Sequence, residues 1–148
     1  MNSIPVPHDA IVFVGDGRKA LFLRNHGDEK FINLRTERVF VDRNPPTREQ
    51  GTDKPGRSFS SIGKIRSAVE QTDWHDLEEH RFARTVADAL EKFVREANIK
   101  SLVIVAPPRT LADLRNSFHD SIKQRIIIEI DKDLTKQPLD EIEKHLHN

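Results

Sequence analysis

The run Leu102-Val103-Ile104-Val105-Ala106 constrains this chain more than any other feature. Five consecutive apolar residues, mostly β-branched, leave no polar side to face water, so the run reads as a strand buried on both faces at the centre of a sheet. Such a strand needs covering layers above and below it. Pro107-Pro108 closes the run, and Pro108 suits the first position of a following helix. Ala10-Ile11-Val12-Phe13-Val14 is a second run of the same kind.

Around these two strands the remaining elements fall into order. Gly15-Asp16-Gly17 separates the first run from Ala20-Leu21-Phe22-Leu23 and reads as a hairpin turn using positive φ. Asn25-His26-Gly27-Asp28 marks a second turn, followed by a third strand over Phe31 to Val41. From Leu77, the residues Phe82, Ala83, Val86, Ala87, Leu90, Phe93, Val94 and Ala97 recur at helical spacing on one face, with Asn98 as the stop. Leu111, Leu114, Phe118 and Ile122 give the helix after Pro108 its stripe; Arg125 to Ile130 is the last strand, and Pro138 opens a terminal helix. The expected fold class is α/β, in the order β-β-β-α-β-α-β-α. The second half alternates strand and helix, which places parallel strands beside the first and predicts a mixed five-stranded sheet of order 3-2-1-4-5, a ribonuclease H-like arrangement with helices on its faces. The 148 residues suit one domain over 1–148.

Composition removes several function classes. There is no cysteine, which excludes disulfides, thiolate catalysis and cysteine-ligated metals. The 24 basic and 24 acidic residues balance, which argues against a chain built mainly to coat nucleic acid or an anionic membrane. No stretch approaches the length of a membrane span, and Met1 to Ala10 lacks the pattern of a signal peptide, so the expected compartment is the cytoplasm.

The segment from about 42 to 73 breaks the pattern. It contains Pro45, Pro46, Gly51, Pro55, Gly56 and Gly63 and reads as a long mobile loop, a kind of segment that is usually functional or disordered. Between Arg43 and Arg66 it carries Arg43, Arg48, Lys54, Arg57, Lys64 and Arg66 against Glu49 and Asp53. These cations could track phosphates while Phe59 stacks on a base. The alternative is a solvated loop with no ligand.

Four motifs and a fifth element occur in order: Val14-Gly15-Asp16-Gly17, Pro55-Gly56-Arg57, Arg81-Phe82-Ala83, Ala106-Pro107-Pro108-Arg109 and Asp131-Lys132-Asp133-Leu134-Thr135. Together they resemble the bacterial host attachment protein family, over roughly His8 to His147. The resemblance implies a role connected with attachment to host cells. It also implies a fold like the middle domain of class 1 peptide chain release factors, and hence a ribosome or RNA as a possible partner. The release-factor tripeptide Gly-Gly-Gln is missing from the long loop, so the resemblance does not carry peptidyl-tRNA hydrolysis.

Other chemistry-bearing groups have two readings each. Arg109 follows a buried strand at its carboxyl end and could meet an anion there, or tie the helix start to Asp131 or Asp133. Asp9, Asp16, Glu78, Glu79 and Asp131 could be arranged as a nuclease metal site, yet the end of strand four offers Pro107-Pro108 where a carboxylate is needed. His75 with Glu79, and Asp76 with His80, stand four apart on a helix without a third ligand; Asp76 also suits a helix start. The sequence therefore assigns no catalytic residue, no cofactor and no metal. It points to a non-enzymatic interaction module with an unknown macromolecular partner. A ribosome- or RNA-associated factor is the alternative, and a metal-dependent nuclease the third reading. The candidate binding residues are Arg43, Arg48, Lys54, Arg57, Phe59, Lys64, Arg66 and Arg109.

Overall fold

In the computed structural model of this chain the described residues are 5–42 and 60–147, with side chains at 5–42 and 76–146. The two apolar runs form β1 (Ile11–Gly15) and β4 (Leu102–Ala106), both buried at every position. They lie side by side and parallel, with Ile11 opposite Leu102 and Val14 opposite Val105. β2 (Lys19–Asn25) pairs antiparallel with β1, β3 (Leu34–Val41) antiparallel with β2, and β5 (Ile126–Asp131) parallel with β4. The result is the expected mixed five-stranded sheet of order β3-β2-β1-β4-β5.

Alternation along the central strands divides the core in two. Ile11, Phe13, Leu102 and Ile104 point to one face, with Ala83, Val86, Leu90 and Phe93 of α1 (Ser60–Ala97), Leu111 and Leu114 of α2 (Pro108–Ser117) and Ile122 of α3 (Asp120–Lys123). Val12, Val14, Val103 and Val105 point to the other, where Val6, Leu134, and Ile142 and Leu146 of α4 (Leu139–His147) cover them. Phe22 anchors the first core: its ring centroid lies 5.7 Å from Phe13, 5.0 Å from Phe40 and 5.7 Å from Phe93.

Four local expectations are corrected. α1 begins at Ser60, so the loop expected at about 42–73 gives way to helix well before Leu77. Ile62, Ile65 and Val69 already keep helical spacing, and the residues from Lys64 to Gln71 are mostly good helix formers; Gly63 and the serines hide the pattern because each weakens a helix only by about 1 kcal/mol or less. Asp76 accordingly lies within the helix and not at its start. Second, no described glycine has positive φ. The β1–β2 turn is held instead by Asp16, whose Oδ1 accepts from the amides of Arg18 and Lys19 at 2.8 Å each. A side-chain acceptor of this kind replaces the left-handed residue of a two-residue hairpin.

Third, β3 starts at Leu34, because Asp28 Oδ1 accepts from the amides of Lys30 and Phe31 and folds that stretch into a turn. Fourth, the helix expected after Pro108 is broken at Phe118, whose extended backbone brings its ring edge-on to Phe13 at 6.3 Å. The stop at Asn98 holds: its φ is 57°, and Ile99 N donates to Val94 O to close the helix end. Among the candidate residues, Arg43, Arg48, Lys54, Arg57 and Phe59 lie outside the described residues, while Lys64 and Arg66 fall on α1 with side chains outside them.

Candidate functional site

β1, β4 and β5 run parallel, so their carboxyl ends meet at one edge of the sheet. Three of the sequence motifs arrive there: Gly15-Asp16-Gly17 after β1, Pro107-Pro108-Arg109 after β4 and Asp131 to Thr135 after β5. Ligands of open α/β sheets bind at this edge, which makes it the place to look for a site.

The polar groups at the edge are largely engaged with one another. Thr135, 2% exposed, donates its hydroxyl to Asp16 Oδ2 at 2.9 Å or to Asp133 Oδ1 at 2.8 Å. A hydroxyl has one proton and serves one carboxylate at a time; the Thr135 amide also donates to Asp133 Oδ1, at 3.2 Å. With its other oxygen bonded to the hairpin amides, Asp16 joins the β1 turn to the exit of β5. Glu79 of α1 packs its carboxylate over Gly17, where an added Cβ would stand 2.7 Å from Glu79 Cδ. A side chain at Gly17 would have to displace the Glu79 carboxylate, and no positive φ calls for glycine there.

Polar pairs join α1 to α2 and to the turn after it, and α2 to β5. Arg109 donates to Asp76 of α1, which corrects the expected pairing with Asp131 or Asp133. The partner differs because α1 extends a full turn and more beyond the sheet-packed residues and brings Asp76 over the start of α2. His80 Nδ1 lies 2.8 Å from Asp113 Oδ1, and His119 Nε2 lies 3.0 Å from Asp88 Oδ1. Asp76 and His80 therefore share a helix face, as their spacing implies, but reach different partners. Arg115 bonds Glu129 of β5 through Nε and Nη2 at 2.9 and 2.5 Å. That hydrogen bond, and then the carboxylate charge, holds the Arg115 guanidinium still more firmly protonated.

Beneath these pairs the cleft lined by Phe13, Asp16, Gly17, Glu79, Thr110 and Asp113 holds about 10 Å³, room for roughly one water. Among the described residues no group of three or more His, Asp or Glu is placed to hold a metal ion. No described helix is long and apolar enough to cross a membrane.

Two features escape a reading of the sequence. The Asp16–Thr135 bond spans 119 positions and has no local signature. Arg24 does have one: Ala20, Phe22 and Arg24 alternate onto the α1 face of β2, so a cation stands where the pattern calls for an inward residue.

Against known proteins, the chain is 33% identical over 75 residues to an uncharacterized protein, RP470, of Rickettsia prowazekii (strain Madrid E). The matched part is 49% of this chain and 50% of that relative, so the chain spans about half the length of the curated protein it matches. The family described as proteins required for attachment to host cells matches residues 11–146, from the first residue of β1 into α4, and this chain belongs to it.

Proposed function

We propose that the chain is a non-enzymatic binding module that serves attachment to host cells indirectly, from the cytoplasm, by engaging a macromolecule. One observation carries the non-enzymatic part of this reading. The edge where an α/β sheet would hold a substrate has Asp16 and Asp133 bonded to a turn and a threonine, Arg109 paired with Asp76, and a cleft the size of a water. Asp16 and Thr135 serve the hairpin turn and each other, and the space beside them is too small to seat a substrate.

The partner-binding part rests on the sequence. Arg43, Arg48, Lys54, Arg57, Lys64 and Arg66, with Phe59 among them, form a basic segment suited to a polyanion. Its excess of cations, set against a net acidic remainder of the chain, favours a ribosome or RNA as the second reading of the partner. Arg109 positions α2 against α1 in this account.

Sedimentation of the tagged chain with cell lysate through a sucrose gradient tests both parts. Comigration with ribosomal particles at low salt, lost at high salt and lost when Arg48, Arg57 and Arg66 are replaced by Glu, is the result expected of an RNA partner. Migration with a particle free of RNA points to a protein partner. Residence at the top of the gradient under both conditions overturns the binding reading, and surface labelling of the native protein on intact cells overturns the cytoplasmic one.

A further inference from the structure

At the opposite end of the sheet lies a different kind of space. The start of β1, the end of β2 and the carboxyl end of α1 enclose a cavity of about 360 Å³, within the range of small-molecule sites. His8, Asp9, Arg24, Asn98, Lys100 and Ser101 line it. The Arg24 Nε is sheltered from solvent and has no hydrogen-bond partner among the described residues. Native proteins rarely leave a buried donor unpaired, so such an atom calls for an acceptor.

The surroundings indicate which acceptor. Lys100 is exposed and unpaired among the described residues, and Ser101 adds a hydroxyl. His8 donates from Nδ1 to the carbonyl of Gly27 at 2.7 Å, which leaves its Nε2 on the side of Asp9, 3.5 Å from Oδ1. Asp9 is the one acid against two permanent cations at this cavity. The carboxyl end of α1 carries partial negative charge and attracts cations by itself. That attraction accounts for two basic side chains nearby, but it supplies no acceptor for Nε. The left-handed turn at Asn98 and the Ile99–Val94 bond already close the helix end.

We propose that this cavity binds a small phosphorylated molecule, its phosphate oxygens accepting from the Arg24 guanidinium, with Lys100 and Ser101 as further donors. A guanidinium edge matches two phosphate oxygens side by side, and the cavity has room for an organic group beyond the phosphate. The proposal does not depend on the partner proposed above.

The test uses the full ¹⁵N-labelled chain, with side-chain Nε–H signals of arginine followed by NMR. Inorganic phosphate and ribose 5-phosphate are titrated separately against a sodium chloride control of equal ionic strength. The expected result is a saturable shift of the Arg24 Nε–H signal and of the Asn98 to Ser101 amides, at lower concentration for ribose 5-phosphate. Lys100→Gln, at an exposed position, weakens the apparent affinity about threefold or more, and Arg24→Gln about tenfold or more. Shifts no larger than the chloride control, or an affinity unchanged in Lys100→Gln, overturn the proposal. Tighter binding of inorganic phosphate than of the sugar phosphate overturns its small-molecule part.

Discussion

At the carboxyl end of the sheet, Asp16, Asp133, Thr135 and the paired helices form a polar layer whose main members have partners within hydrogen-bond reach. At the amino end, Asn25 and Arg24 are neighbours in sequence and opposites in circumstance. Asn25 is 0% exposed and uses its whole amide: the two Nδ2 protons are shared among the carbonyls of Val6, Pro7 and Asp28, and Oδ1 accepts from the amides of Gly27 and Asn33. Arg24 turns the other way, into the cavity, with Nε unpaired. A polar cluster closed on itself belongs to the architecture, whereas a donor left over beside open space is where a ligand can contribute.

Three substitutions sharpen or break this contrast. Asn25→Leu has the largest expected effect, a loss of about 3–5 kcal/mol in urea unfolding, because it removes a buried amide that serves backbone groups on three chain segments at once. Thr135→Val keeps the shape and removes the donor between Asp16 and Asp133; the loss expected is about 1–3 kcal/mol. A value near zero there means that the Asp16–Thr135 bond does little for the fold. Arg24→Met has the smallest effect, within about 0.5 kcal/mol of the parent or above it, since the apolar stem is retained and the unpaired donor is gone. A loss as large as that of Asn25→Leu would show that Arg24 is structural.

Much of the fold is legible in the sequence because it rests on local patterns. The unbroken Leu102–Ala106 run dictates a central strand, the stripe from Phe82 to Ala97 dictates a helix, and Asn98 ends it. The start of α1 is obscured because glycine and serine near its beginning mimic a loop. The break at Phe118 is hidden because Phe118 and Ile122 stay buried across it. The polar pairings are the least legible part. Arg109 reaches Asp76, and Asp16 reaches Thr135, only once the sheet order has brought distant segments together, and the spacing of residues says nothing about which charged neighbour lies closer. The motifs at the carboxyl ends of β1, β4 and β5 suggest a site, and their side chains turn out to bond mainly to one another.

The most direct test is the shift of the urea unfolding midpoint on adding ribose 5-phosphate, for the parent chain, Thr135→Val and Arg24→Met. A ligand that binds the folded state raises its stability by mass action. The account predicts that the sugar phosphate raises the midpoint of the parent and of Thr135→Val by the same amount and raises that of Arg24→Met much less, in keeping with a weaker affinity. An equal rise in Arg24→Met would remove Arg24 from the binding site, and a rise abolished by Thr135→Val would place binding at the Asp16 end of the sheet; either result contradicts it.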